Sequence, residues 1–181
     1  MLPGWTFFGL DAHGRSGGLA LGINTRSIKL LSCWGGAGHI VADIRFADLG
    51  MNFRIFNVYG PCQNRPAFWQ NVLGFYLFLE DYLIIGGDLN FSIGHAESWG
   101  HRAQLDSLSN YFLSVLDSHH LIDIPSGKIP VTWRNNRTGE DSLAHRFDCF
   151  LVKEKVIDLG FHIRQWVGTE GSLIIYPFFG D

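Results

Sequence analysis

Up to Gly60 the chain is a series of short apolar segments broken by glycine- or aspartate-containing turns. That spacing predicts strands over Leu19 to Ile23, Ile28 to Trp34, His39 to Phe46 and Asn52 to Tyr59, the last three forming a β-meander. In Asn52 to Tyr59, alternation puts Phe53, Ile55, Asn57 and Tyr59 on one face and Arg54, Phe56 and Val58 on the other. Apolar residues on both faces place this strand inside a sandwich. Gly14, Gly17 and Gly18 precede the first strand, but without the lysine and the following helix of a phosphate loop they read as a turn.

Past Gly60-Pro61 the period changes. Phe68, Val72, Phe75 and Leu79 recur at helical spacing, widened by Trp69 and Phe78, which predicts an outer helix over Arg65 to Glu80. Leu105, Leu108, Phe112 and Leu116 predict a second over Leu105 to His119. Between them Leu83 to Ile85 is short, apolar and ended by glycine, the mark of a strand buried on both faces. Ser92 to Gly100 reads as loop. Further strands are predicted over Val131 to Arg134, His145 to Val152 and Gly160 to Val167, and the apolar tail Leu173 to Phe179 could pair as another. Strands outnumber helices roughly two to one.

The stretch Gly86-Gly87-Asp88-Leu89-Asn90 carries the first candidate chemistry. Two glycines allow a tight turn or a close backbone approach, and Asp88 and Asn90 would share a face if the extended conformation continued. A carboxylate can hold a metal or a proton, and a carboxamide can orient an oxygen. Gly, Asp and Asn are also the commonest turn residues, so this stretch alone reads more readily as an ordinary strand-to-turn junction.

Composition adjusts this picture only slightly. With 181 residues, 46% hydrophobic and 17% charged, the chain is the size of one ordinary folded unit. A net charge of −3 gives no bulk signature of nucleic-acid binding, so such contacts would need a local patch. Cys33, Cys62 and Cys149 form no CxxC pair, which argues against a disulfide framework or structural zinc and fits a reducing, intracellular compartment, nucleus or cytoplasm left open. No signal peptide and no membrane anchor is expected.

Four motifs occur in order: Asn57-Val58-Tyr59-Gly60-Pro61, Gly86-Gly87-Asp88-Leu89-Asn90, Thr132-Trp133-Arg134 and Arg146-Phe147-Asp148. Together they resemble the endonuclease/exonuclease/phosphatase superfamily. Gly9 to Ala20 and Thr132-Trp133-Arg134-Asn135-Asn136-Arg137 are most similar to the endonuclease domain of plant LINE-type (non-LTR) retrotransposons. The resemblance runs to about Gly168. It implies a DNase I-like four-layer α/β sandwich, here incomplete, in which two facing mixed sheets are covered by outer helices. It also implies hydrolysis of DNA phosphodiester bonds with a divalent ion, usually Mg²⁺. By resemblance Asp88 would hold the metal or the water, Asn90 would orient the water, and Tyr59 would contact the phosphate or support the metal ligands. Asn57, Trp133 and Arg134 would contact substrate, and Asp148 would hold a catalytic histidine in its working tautomer.

The family's first strands carry a metal-binding Asn and Glu that belong before Met1, and its Ser-Asp-His belongs just after Gly171, where Ser172 leads into an apolar tail instead. The expectation is therefore a domain over residues 1–171 with a divergent tail over 172–181, holding a partial metal site at Asp88 and little turnover. His145 stands three residues from Asp148, on the opposite face of a continuous strand, and is a poor substitute. Unpaired strand edges would favour self-association and lower stability. The alternative is a catalytically dead nucleic-acid-binding module using Trp133, Arg134 and Arg137.

Overall fold

A computed structural model describes residues 3–12, 18–125, 131–167 and 173–179 of the chain. The expected Ser-Asp-His position after Gly171 and the Gly14, Arg15, Ser16 and Gly17 part of the retrotransposon-like motif lie outside the described residues. By contact the chain divides into two compact units, Met1–Gly86 and Gly87–Asp181.

The first unit opens with a hairpin of strands β1 (Trp5–Leu10) and β2 (Leu19–Asn24), paired antiparallel from Trp5 opposite Asn24 to Leu10 opposite Leu19. Sequence reading found β2 but not β1, whose outward Trp5 and Phe7 give it no polar face. Strands β3 (Ile28–Gly36), β4 (His39–Phe46) and β5 (Asn52–Tyr59) form the expected antiparallel meander, with a bulge in β3 between Leu30 and Ser32. Strand β6 (Leu83–Asp88) lies next to β5. Val41, Ile44, Phe53, Phe56 and Val58 are buried. Arg54 is also buried on β5, where its guanidinium meets Asp43 at 2.8 and 3.0 Å and donates to the Tyr76 carbonyl. A buried cation is tolerated there because it is paired and hydrogen-bonded.

The helix predicted over 65–80 is two pieces. Helix α1 (Arg65–Val72) starts with Pro66 in its first turn and ends at Leu73, and a 3₁₀ turn follows over Phe75–Leu79. Gly74, extended at φ −69° and ψ 160°, breaks the helical period between them. The inward stripe therefore changes: Trp69, Val72, Leu77 and Phe78 are buried, and Leu79, expected inward, is exposed.

The second unit contains β7 (Ser98–Trp99), α2 (Ser109–Ser118), β8 (Leu121–Ile124), β9 (Trp133–Arg134), β10 (Ala144–His145), β11 (Asp148–Lys153), α3 (Glu154–Asp158), β12 (Phe161–Val167) and β13 (Leu173–Phe179). Strands β7, β10 and β9 form a small antiparallel sheet, and β8 pairs antiparallel with β11. Helix α2 starts four residues later than predicted, because Asp106 turns the chain there by accepting the Leu108 N–H at 3.0 Å. Leu105 is consequently exposed while Leu108, Phe112 and Val115 are buried. The strand expected over 145–152 is interrupted at Arg146 and Phe147. The tail over 173–179 pairs along its length with β12. Among the described residues no helix is long and apolar enough to cross a membrane.

Candidate functional site

Strand β6 delivers Asp88. Leu83, Ile84 and Ile85 are buried as expected, and Gly87 at φ 135° takes a conformation that suits glycine. Beyond Asp88 the expectation of a continued strand fails. Asn90 sits in the left-handed region at φ 56°, and its N–H donates to Asp88 Oδ1 at 2.8 Å. Asp88 and Asn90 are therefore tied by an Asx-type turn rather than sharing a strand face, and Asn is among the few non-glycine residues that accept that backbone. Leu89, between them, donates its N–H to the Phe147 carbonyl at 2.8 Å. This bond sets the turn beside Phe147 and Asp148.

Two half-buried carboxylates thus lie close enough to feel each other. Burial first, and then the charge of Asp148, push the Asp88 carboxyl up to about 6, against the opposing pull of the Asn90 N–H. Asp148 is raised by burial, and a hydrogen bond from Thr132 and the charge of Arg146 act the other way. Thr132 Oγ1 accepts the N–H groups of Phe147 at 2.9 Å and Asp148 at 3.1 Å. Arg146 is buried and forked onto Asp123 at 2.6 and 2.7 Å, and it also donates to Glu97 and to the Ile124 carbonyl. Thr132 entered the sequence reading only as a motif member with no role assigned, and Glu97 and Asp123 did not enter it. Their partners lie 15 to 49 residues away, and no local pattern signals such pairs.

Phe147, next to Asp148 in the chain, belongs to an aromatic cluster. Trp133 on β9 is 41% exposed, and its ring lies 5.6 Å from His145 and 5.4 Å from Phe147, which stack on each other at 5.0 Å. His145 Nδ1 is 3.0 Å from Ser98 Oγ and 3.2 Å from Ser92 Oγ, and burial lowers the pKa of the imidazole. Because β10 ends at His145 and β11 begins at Asp148, the two are not on one strand, and the ring is engaged by serines. Arg134, next to Trp133, is exposed, and so is Arg137, whose N–H donates to Asn135 Oδ1.

The structure brings Asp88, Asn90 and Asp148 together, with Trp133 and Arg134 on the neighbouring hairpin of the same unit. Asn57 and Tyr59 lie on β5 in the first unit. Asn57 Nδ2 donates to the Ala20 carbonyl at 3.1 Å, and the Tyr59 N–H donates to the Gly38 carbonyl at 2.8 Å.

No protein-family model matches the sequence, and no curated protein matches it. Solved structures do. The endonuclease domain of TRAS1, a telomere-specific non-LTR retrotransposon, matches at TM-score 0.60 and 17% identity, covering 90% of this chain and 74% of that one. TDP2 of D. rerio, complexed with a single-strand DNA product, matches at TM-score 0.59 and 14% identity over 94% of this chain and 72% of that one. A mannosyl-6-phosphatase of Bacteroides thetaiotaomicron matches at TM-score 0.50 and 18% identity, with 93% and 68% covered. The chain has the DNase I-like fold.

These structural neighbours belong to a superfamily that is generally metal-dependent. Among the described residues no group of three or more His, Cys, Asp or Glu side chains is placed to hold a metal ion. The donors that are present still suit a hard cation. Mg²⁺ takes one or two protein carboxylates and completes its shell with water and phosphate, and a cation would relieve the repulsion that raises Asp88.

Proposed function

We propose that the chain is a retroelement-derived, endonuclease-like domain whose site hydrolyses DNA phosphodiester bonds with the help of Mg²⁺. The observation that carries this reading is the half-buried Asp88 and Asp148 pair beside the Asn90 turn, where burial raises both carboxyls and the charge of Asp148 raises Asp88 further. Asp88 would hold the metal with Asp148 as the second carboxylate. When bound, the ion supplies neutralisation of phosphate charge and activation of water.

The chain's own residues divide the remaining work. The Asn90 carboxamide orients the attacking water, in a turn fixed by the bond from its own N–H to Asp88. Trp133, exposed and backed by His145 and Phe147, offers a flat face for a nucleobase, and Arg134 offers a cation for a phosphate. Asn57 and Tyr59 are assigned to substrate contact through their motif. With no third acidic or histidine ligand joining the pair among the described residues, turnover is expected to be low.

Nicking of supercoiled plasmid in Mg²⁺ tests the reading. Weak nicking that stops on chelation and in Asp88→Ala supports it, whereas nicking that survives Asp88→Ala overturns it. A second reading, binding without hydrolysis, is favoured by the exposure of Trp133 and Arg134. It predicts salt-dependent DNA binding that falls in Arg134→Ala with no nicking by the unmutated protein.

A further inference from the structure

His145 is the middle of a row of three. In the small sheet of the second unit it lies directly opposite Ser98 on β7 and directly opposite Trp133 on β9, so a hydroxyl and an indole flank the imidazole from its two sides. Its Nδ1 meets Ser98 Oγ at 3.0 Å and Ser92 Oγ at 3.2 Å. Ser98 donates to Ser92 at 3.0 Å, and Ser92 donates to the Glu97 carbonyl at 3.4 Å. Each hydroxyl has one proton. With both protons spent in this way, neither serine has one left for the ring, and the two Nδ1 contacts close only if Nδ1 carries the hydrogen and donates it.

A neutral imidazole has one N–H, so Nε2 is then a bare acceptor. Among the described residues no hydrogen bond reaches Nε2, and it is not shut away from solvent. Burial of the ring disfavours a second proton, with the charge of Asp106 acting the other way. In an imidazole the Nε2–Cδ2 edge lies across from Nδ1, so turning Nδ1 to Ser98 turns that edge to the Trp133 side. Phe147, stacked on the ring at 5.0 Å and 11°, holds its plane. The result is an unprotonated nitrogen beside an exposed indole 5.6 Å away. We propose that His145 is a specificity-determining residue, whose Nε2 accepts a hydrogen bond from the amino group of an adenine or cytosine stacked on Trp133. A base that lacks the amine leaves this acceptor unpaired. The base contact rests on the nucleic-acid reading above; the tautomer that makes it possible rests on the serine contacts.

Two measurements separate these. The first needs no DNA: long-range proton–nitrogen NMR of the imidazole rings in the full chain at neutral pH, with His145→Gln identifying the signals of His145. A protonated Nδ1 and an unprotonated Nε2 are expected; the opposite tautomer, or a charged ring, overturns the inference. The second is fluorescence anisotropy without divalent metal, comparing a labelled single strand of deoxyadenosines with the same strand built of purine deoxyribosides, which lack only the amino group. The unmutated protein is expected to bind the adenine strand about 3- to 10-fold more tightly, the worth of one hydrogen bond. His145→Phe keeps a ring against Phe147 and Trp133 and loses the acceptor, so in this variant the preference should fall to about 1.5-fold or less. Equal binding of the two strands by the unmutated protein, or a preference undiminished in His145→Phe, overturns the inference and leaves the nucleic-acid reading standing. Should His145→Phe not fold, the tautomer and the strand preference of the unmutated protein still decide. An unmutated protein that binds neither strand overturns the nucleic-acid reading and the base contact together.

Discussion

Replacing Asp88 by asparagine should make the protein more stable at alkaline pH while abolishing its chemistry. The carboxyl rises from 3.8 to about 6 on folding because burial and the Asp148 charge oppose its ionisation. A group whose folded pKa exceeds its unfolded value contributes stability below the unfolded value and loses it as pH climbs through the folded one. Over the window from about pH 4 to about pH 7, at about 1.4 kcal/mol per unit, the loss is about 3 kcal/mol. Asparagine carries no charge to bury, and its Oδ1 can still accept the Asn90 N–H that closes the turn.

The expected result is an Asp88→Asn variant about as stable as the parent near pH 4 and about 3 kcal/mol more stable at pH 8, by urea unfolding at each pH. In a chain of this length that corresponds to roughly 6–12 °C in melting temperature. Mg²⁺ at ten times its Kd should return about 1.4 kcal/mol to the parent and nothing to the variant, since only the parent presents the ionised pair. A stability difference that does not grow between pH 4 and pH 8, or a variant less stable at pH 8, would refute the picture of a buried, mutually repelling pair.

Arg146→Met removes the cation that Asp123 and Glu97 enclose and leaves their charges facing each other; a loss of about 3–5 kcal/mol is expected in urea unfolding. Gly100→Ala should cost about 2 kcal/mol or more by thermal unfolding, because Gly100 lies at φ 126° and an added Cβ would meet the Ser142 carbonyl oxygen. Trp133→Ala should weaken binding of a single-stranded oligonucleotide by about 1–3 kcal/mol, read by fluorescence anisotropy, with Trp133→Phe in between. Arg134→Ala should reduce the slope of log affinity against log salt by about 1.

The strands of the meander were legible because turns and alternation agree there: His39–Phe46 and Asn52–Tyr59 fall on the predicted bounds. Where one residue overrides a period, the pattern misled. Gly74 resets the helical stripe so that Leu77 faces inward in place of Leu79, and a hydrophobic count over 65–80 cannot see that. The same holds at Arg146 and Phe147, which read as strand by composition. Arg146 is claimed instead by Asp123 and Glu97, and Phe147 gives its N–H to the Thr132 hydroxyl.

The candidate site divides along that line. Asp88, Asn90 and Asp148 were visible as residue types in ordered motifs, because a glycine pair before a carboxylate and an apolar run after one are local signals. What makes them a pair is not local. The Leu89 to Phe147 bond, the Thr132 hydroxyl shared by two N–H groups and the Arg146 fork each join residues that only the folded chain brings together. These supports also explain why Asp88 and Asp148 can sit side by side despite their charge. Asp88 accepts the Asn90 N–H, and the Asp148 main chain is held by its own N–H donated to the Thr132 hydroxyl. The repulsion is thus held in place rather than relaxed by rotation, which is the condition a cation-binding pair has to meet before the cation arrives.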